Sequence, residues 1–254
     1  MRRPDRRWLL TSALLLAGCA VAERPTRASL APDPGGWRTL GLSREGRPVR
    51  AAALGQGGPR VAVIAAIHGD EPEGLRHVPS LVDLLARAPA TVALYEDANP
   101  DGTAASRRRT AGGVDPNRNW PAANFSPAPS RGPRPLSEPA VAHVHRDLVR
   151  FDPELVVVLH SARSGPFVNF DGPAEGHARR FARAAGAPWG VRPSMGYPTP
   201  GSLGSWMGVD RGVPILTVEF RRGAPPSETG PPLLRGLRAL LLEGPLEDDR
   251  PRVD

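Results

Sequence analysis

Residues 61–74 read VAVIAAIHGDEPEG, seven apolar residues followed by a polar turn. The apolar run is short, uncharged and rich in β-branched side chains, which predicts a strand buried in a core. Gly69 and Pro72 mark a turn directly after it. His68 and Glu71 therefore stand where a core strand ends, and ligand sites of open α/β sheets gather at such ends. Histidine and carboxylate both bind zinc, so this stretch offers two of the three protein ligands that a catalytic zinc site usually has.

The composition limits the class of protein. The chain has 254 residues, 40% of them hydrophobic, which suits one domain with a substantial core. Its 28 glycines and 31 prolines predict long loops. All basic residues are arginine, and the formal net charge of +7 suits an anionic substrate or surface. No basic stripe interleaved with aromatic residues occurs, so we expect no nucleic-acid partner.

Apolar runs that alternate with amphipathic segments predict an α/β layered domain. Ser137 is suited to cap one of the helices, with Pro139 in its first turn. Residues 96–134 show little periodicity, which is typical of a functional or disordered loop region. Strands are predicted at residues 49–54, 61–67, 92–95, 155–159 and 215–220. Helices are predicted at residues 75–87, 137–151, 174–185 and 231–243.

The N-terminal segment has the form of an export signal. Four arginines precede an apolar stretch too short to span a bilayer, and residues 6–10 (RRWLL) resemble a twin-arginine signal. Residues 16–19 (LAGC) look like a bacterial lipobox, in which Cys19, the single cysteine, is lipidated after cleavage. The alternative is a plain signal peptide with an incidental cysteine.

These features predict the organisation of the chain and its location. We expect an exported protein of the cell envelope or periplasm, anchored to a membrane through the lipid on Cys19. The predicted segments are a signal peptide over 1–18, a lipidated tether over 19–36, a catalytic domain over 37–245 and a charged tail over 246–254.

A third metal ligand is expected after the strand at 155–159, where His160 follows. If this strand and the strand at 61–67 are parallel neighbours, their carboxyl ends lie side by side. His68, Glu71 and His160 then converge as a site with two histidines, one glutamate and an open position. The remaining histidines are predicted to be structural or solvated: His77, His143, His145 and His177.

Glu219 lies within the otherwise apolar strand at 215–220. A buried carboxylate is costly unless it is paired, hydrogen-bonded or near a metal. One interpretation is an ion pair with Arg221 or Arg222. The other is a general base that takes the proton of a zinc-bound water, whose pKa zinc lowers to about 7.

The chemistry-bearing residues recur in a fixed order along the chain. The series is His68-x-x-Glu71, Asp115-Pro-Asn117-Arg118-Asn119, Ser137-Glu138-Pro139, His160-Ser161 and then Glu219. It resembles the zinc carboxypeptidase family over about residues 45–225. Residues 99–102 (NPDG) and 197–202 (YPTPGS) further resemble the short bacterial branch that includes murein peptide amidases. The resemblance implies a carboxypeptidase-like fold, a single domain with a mixed, mostly parallel sheet flanked by helices.

The resemblance also implies the metal centre. His68, Glu71 and His160 would hold one zinc ion, and Glu219 would be the general base. Asp115 would accept a hydrogen bond from the first zinc histidine and fix its tautomer.

The remaining implied roles concern the substrate. Arg118, beside Asn117, would bind the terminal carboxylate of the substrate through a guanidinium fork. Arg108 would stabilise the oxyanion, and because residues 107–109 are all arginine, a shift of one position stays open. Tyr197 would correspond to a mobile substrate-side tyrosine, the alternative being a loop tyrosine packed on prolines.

The implied activity is that of a zinc-dependent hydrolase that removes a C-terminal residue from a cell-wall peptide. Its partner would be a peptide or muropeptide with a free carboxylate, and one target would be the γ-D-glutamyl–meso-diaminopimelate bond. Two alternatives stay open: a zinc deacylase of N-acyl amino acids, similar to aspartoacylase or succinylglutamate desuccinylase, and an envelope-binding lipoprotein without turnover. Residues 117–119 and the export signal favour the peptidase over the deacylase, and Glu219 argues against binding alone.

Overall fold

The computed structural model describes residues 36–193 and 195–242. Within these ranges the strands are β1 (Trp37–Leu42), β2 (Pro48–Leu54), β3 (Arg60–Ile64), β4 (Thr91–Tyr95), β5 (Leu155–Ala162), β6 (Phe167–Asp171), β7 (Val191–Arg192) and β8 (Ile215–Arg221). They form one sheet in the order β1-β2-β4-β3-β5-β8-β6-β7.

The centre of the sheet is parallel. β3 lies between β4 and β5, β5 also pairs with β8, and all three pairings are parallel. β1, β2 and β6 are added in antiparallel pairings, and β7 runs parallel to β6. Strands covered on both faces are nearly continuous apolar runs, as β3 and β5 are. The sheet confirms the predicted mixed, mostly parallel architecture.

Helices cover both faces of this sheet. They are α1 (Val78–Leu85), α2 (Pro100–Ala104), α3 (Pro139–Phe151), α4 (Glu175–Ala185) and α5 (Pro226–Leu242). Alternate residues of a strand point to opposite faces. Val61 and Val63 accordingly pack in one cluster with α1, α4 and α5, whereas Ala62 and Ile64 pack in a second cluster with α3.

The first core strand is shorter than predicted, because β3 ends at Ile64 rather than at residue 67. The chain then leaves the regular ladder but stays buried. Ala65 N donates to the carbonyl of Tyr95, and the carbonyl of Ala66 accepts from Ala98 N. His68 therefore follows a buried, hydrogen-bonded extension of the strand.

The second core strand is longer than predicted. β5 continues to Ala162 because it pairs with β8 as far as the register partners Ala162 and Arg221. His160 therefore lies inside the strand rather than directly after it.

Three helix predictions were wrong at their starts. Ser137 does not cap α3: Glu138 occupies the N-cap position, and the Ser137 hydroxyl accepts a 2.9 Å hydrogen bond from Asn119 Nδ2 instead. The predicted helix at 75–87 is a 3₁₀ turn followed by α1. The helix predicted to begin at residue 231 begins at Pro226, because the Pro225 carbonyl accepts from the amides of residues 228 and 229 and so starts the first turn.

Some elements were missed. β1, β6 and β7 were not predicted, since their burial is mixed and their partners lie far away in sequence. The irregular segment at 96–134 contains α2 and a 3₁₀ turn, Pro116–Arg118.

The predicted signal peptide, Cys19 and the charged tail lie outside the described residues, as does all but the last residue of the tether. Among the residues that are described, no helix has the length and apolar character needed to cross a bilayer. The predicted segment boundaries stay predictions.

Candidate active site

The turn after the first core strand depends on close backbone packing. Glu71 N donates to the His68 carbonyl at 3.1 Å, which closes the turn. A Cβ at Gly69 would overlap the carbonyl carbon of Gly102. Only glycine permits this approach, and it places the side chains of His68 and Glu71 at the same end of the sheet.

The third ligand candidate comes from the neighbouring strand. β3 and β5 are parallel, so their carboxyl ends lie together, and His160 on β5 is the register partner of Glu219 on β8. One ligand atom from each of His68, Glu71 and His160 lies within 4.8 Å of the others, and all three residues are buried.

The spacing of these atoms fits a zinc ion. Glu71 Oε2 lies 2.9 Å from His160 Nδ1, Glu71 Oε1 lies 3.1 Å from His68 Nδ1, and the two Nδ1 atoms are 3.1 Å apart. Tetrahedral zinc with bonds of about 2.0–2.1 Å separates its ligand atoms by about 3.3 Å. Two imidazoles and one carboxylate at this spacing suit one zinc ion and leave a position open.

Asp115 orients the first histidine. Its Oδ1 lies 3.0 Å from His68 Nε2 and also accepts from Asn117 N at 2.9 Å. The contact favours the tautomer with the proton on Nε2, so the Nδ1 lone pair faces Glu71 and His160. Burial raises the pKa of Asp115, but the hydrogen bond and charge of His68 together with the charges of Arg108 and Arg118 outweigh burial and hold that pKa well below its usual range.

Arg108 is the arginine of the 107–109 run that faces the site. Its Nη1 donates to Glu71 Oε1 at 2.9 Å and its Nε donates to Asp115 Oδ2 at 3.0 Å. Arg107 and Arg109 are exposed and do not line this cavity. The structure thus selects one of the three arginines that the sequence left open.

Glu219 lies beside the ligand cluster without an ion-pair partner among the residues that the structure describes. It is only 5% exposed. The two partners considered from sequence are engaged elsewhere: Arg221 pairs with Glu228 at 2.7 Å, and Arg222 with Asp70 at 3.0 Å. Burial, together with the nearby Glu71 carboxylate, raises the pKa of Glu219. A carboxylate with a raised pKa next to a metal site is suited to accept and return a proton.

A cavity of about 320 Å³ opens over this cluster. Asn117, Arg118 and Tyr197, the substrate-binding residues predicted from sequence, all line it. The Arg118 guanidinium donates to the Asn117 carbonyl at 2.7 Å and forms no salt bridge within the described ranges. Tyr197 is 54% exposed at the rim. The cavity therefore brings together the metal-ligand candidates and a guanidinium that has no carboxylate partner among the described residues.

Two charged residues of the cavity were not predicted from the sequence as site residues. Arg222 was considered only as a partner of Glu219, and Asp171 ends a strand, β6, that was not predicted. Asp171 makes no hydrogen bond or ion pair with any residue in the described part of the chain, and burial raises its pKa. Neither residue belongs to a recognisable sequence motif, so no local signal could have identified it.

The histidines predicted to be structural or solvated do not line this cavity. His77 is buried and lies 2.7 Å from the Thr229 hydroxyl. His145 packs against Trp206, with ring centroids 4.6 Å apart, and His143 lies against the backbone of Gly41.

Comparison with known proteins agrees with the geometry. A family model described as zinc carboxypeptidase matches residues 31–171. The chain belongs to the zinc carboxypeptidase family. It is therefore a zinc-dependent hydrolase, and among the described residues His68, Glu71 and His160 form the cluster that could hold its metal ion.

The relatives of this zinc carboxypeptidase include murein peptide amidases. Murein peptide amidase A of Escherichia coli strain K12 is 30% identical, and the alignment covers 76% of this chain and 85% of the relative. The crystal structure of murein-tripeptide amidase from Escherichia coli O157 superposes with a TM-score of 0.70 at 27% identity, over 88% of this chain and 98% of the other. Bovine thrombin-activatable fibrinolysis inhibitor shares the fold, with a TM-score of 0.64 at 19% identity over 80% of this chain and 88% of that one.

Proposed function

We propose that this zinc carboxypeptidase removes a C-terminal residue from cell-wall peptides by hydrolysing the γ-D-glutamyl–meso-diaminopimelate bond. Two murein peptide amidases among its relatives support the substrate class. The family assignment favours a peptidase over a deacylase of N-acyl amino acids.

The proposed mechanism assigns a task to each residue of the cavity. A bound zinc ion supplies Lewis-acid chemistry, polarising a carbonyl and acidifying water. Glu219 accepts the proton of the attacking water and delivers it to the leaving amine as the C–N bond breaks. Arg108 donates to the developing oxyanion, and Arg118 binds the terminal carboxylate of the leaving residue.

One observation carries the choice of substrate: the cavity holds Asp171, a carboxylate without a partner among the described residues, together with the guanidinium of Arg118. Asp171 is partly buried, and a partly buried charge is costly unless a ligand or another group neutralises it. The pair suits a leaving residue that carries both a carboxylate and a second, distant ammonium group. Meso-diaminopimelate has both groups, whereas an apolar C-terminal residue would leave Asp171 uncompensated.

Mass spectrometry of L-Ala-γ-D-Glu-meso-diaminopimelate after incubation with the zinc-loaded full-length protein in detergent tests the proposal. We expect wild type to release diaminopimelate. Glu219→Gln keeps the shape of the side chain but cannot accept the proton, and we expect its rate to fall about 100- to 10,000-fold while its zinc content stays unchanged.

The control is a dipeptide with an apolar C-terminal residue, tested with both proteins. Preferential cleavage of this control by wild type would contradict the proposed substrate. Normal turnover by Glu219→Gln would contradict the proposed role of the glutamate.

We further propose that the protein acts in the cell envelope, exported by the N-terminal signal and anchored through a lipid on Cys19. The lipobox-like residues 16–19 support this location. Intact-mass measurement of the protein purified from membranes of a lipoprotein-processing host is expected to show cleavage before Cys19 and an added diacylglyceryl group. The Cys19→Ala variant should be absent from the membrane fraction. An unmodified cysteine in a processed wild-type chain would contradict the proposed lipid anchor.

A further inference from the structure

A second guanidinium group, that of Arg222, reaches the catalytic cavity. Arg222 directly follows β8, lines the cavity and has a side chain that is 35% exposed. Its Nη1 donates to Asp70 Oδ2 at 3.0 Å and its Nη2 donates to the metal ligand Glu71 at 3.0 Å. These contacts fix the guanidinium plane beside the metal site, because each terminal nitrogen is held by a different carboxylate.

Arg222 and Arg118 belong to different walls of the cavity. Arg118 is held by the backbone of Asn117, whose side chain accepts from Leu203 N at 2.9 Å. The wall around Arg222 comes from the turn after the first core strand and from β5, where the Ser161 carbonyl lies 3.4 Å from Nη2. With the leaving residue on Arg118, Arg222 is available to the acyl part of the substrate.

One of the two carboxylates beside Arg222 is shared with other groups. Glu71 Oε1 is shared between Arg222 and Arg108, and it is also a metal ligand. A guanidinium offers five N–H donors. Asp70, Glu71 and the Ser161 carbonyl accept from the terminal nitrogens of Arg222, and its Nε is buried without a hydrogen-bond partner among the described residues. A planar, partly exposed guanidinium in such a position is suited to a carboxylate.

We propose that Arg222 binds a free carboxylate on the acyl side of the scissile bond, which in a γ-glutamyl peptide is the α-carboxylate of the glutamate. The inference rests on the proposed function for the identity of that acyl group. Four carbon–carbon bonds separate the scissile carbonyl carbon from this carboxylate, a reach of about 5 Å. In an ordinary α-linked peptide the same carboxyl group is consumed in the scissile bond. Arg222 would therefore select an acyl residue with a free carboxylate at this distance, such as γ-linked glutamate, over residues without one and over the amidated form, isoglutamine.

The test compares two substrates that differ in one group, L-Ala-γ-D-Glu-meso-diaminopimelate and its isoglutamine analogue, with the full-length zinc-loaded protein. A charge-assisted hydrogen bond to a carboxylate is worth enough for a 10- to 100-fold effect. We expect wild type to favour the acid over the amide in kcat/KM by at least about tenfold. Arg222→Gln should abolish this preference.

The matched control is Arg221→Gln. Arg221 is the adjacent arginine, but it is exposed, pairs with Glu228 and does not line the catalytic cavity. The Arg221→Gln variant should prefer the acid over the amide as strongly as wild type does. Zinc content is measured for every variant, because loss of the Glu71 contact alone would lower metal binding and reduce the rates on both substrates equally.

A wild type without the preference would overturn the assignment, as would a preference that survives in Arg222→Gln. If wild type released no diaminopimelate from either peptide, the proposed function would fail while the role of Arg222 would still be measurable. In that case calorimetric binding of both peptides to Glu219→Gln decides. The inference is supported if Glu219→Gln binds the acid more tightly than the amide and the double variant with Arg222→Gln binds both peptides equally. Equal binding of both peptides by Glu219→Gln overturns it.

Discussion

Replacing Asp171, the cavity carboxylate without a partner among the described residues, should lower activity and raise thermal stability. Asp171 has no partner among the residues that the structure describes, and burial raises its pKa. In Asp171→Asn the side-chain shape is kept and only the charge is lost. We expect the variant to lose activity on a substrate with a distant ammonium group and to gain thermal stability.

The loss of activity follows from the position of Asp171 at the cavity wall. A carboxylate and an ammonium about 4 Å apart attract each other by about 4 kcal/mol at the effective dielectric constant of about 20 typical of partly exposed sites. Desolvation of the ammonium removes part of this attraction, which leaves about 1.5–3 kcal/mol. Since 1.4 kcal/mol corresponds to a factor of ten, kcat/KM should fall about 10- to 100-fold.

The gain in stability has a defined pH dependence. The pKa of Asp171 is higher in the folded than in the unfolded protein, so the ionised side chain opposes folding. This penalty is absent below the ordinary pKa of aspartate and grows as pH rises above it. The melting temperature of Asp171→Asn should therefore exceed that of wild type at neutral pH, and the difference should vanish in acid.

The assay measures kcat/KM with two peptides, one ending in meso-diaminopimelate and one ending in 2-aminopimelate, which lacks the second amine. The variant should be impaired on the first peptide and unchanged on the second. Equal losses on both peptides would refute the assignment of Asp171 to an ammonium group, and a lower melting temperature at neutral pH would refute the claim that its charge is uncompensated.

Three further perturbations test other parts of the structure. Asp115→Asn removes the carboxylate from His68 and should weaken zinc binding about 10- to 100-fold in a chelator competition, with no change for a distant control such as Glu175→Gln. Burial raises the pKa of Asp97 to about 6. The unfolding free energy of wild type should therefore fall by about 1–3 kcal/mol between pH 4 and 8, whereas that of Asp97→Asn should not show this fall. Identical urea midpoints for both proteins at pH 8 would contradict this. Gly69→Ala forces a Cβ onto the Gly102 backbone, which should lower the free energy of unfolding by about 1–3 kcal/mol and displace the turn that carries His68 and Glu71. The control is Gly190→Ala, whose Cβ meets no atom within 4 Å, and its melting temperature should equal that of wild type.

Much of the fold could be predicted because its central signals are local. The apolar runs of β3, β5 and β8 can only be buried, and a parallel arrangement places their carboxyl ends together. His68, Glu71 and His160 sit at or near those ends, so their convergence was predicted on the condition that the two strands are parallel neighbours, and the pairing of β3 with β5 meets this condition. The exact strand limits did not follow, since Ala65 leaves the ladder of β3 through a hydrogen bond to Tyr95 that no local pattern encodes.

The sequence by itself determined the ligand set, the glutamate on the last core strand and the family resemblance, because each rests on residue type and spacing within short segments. Only the tertiary structure decided which arginine of the 107–109 run enters the cavity, and that Asp171 and Arg222 join it. These side chains come from a loop, from the unpredicted β6 and from the end of β8. These side chains come together only because segments distant in sequence pair with one another. The electrostatic energy of each charge then depends on the neighbouring groups and on how much solvent reaches it.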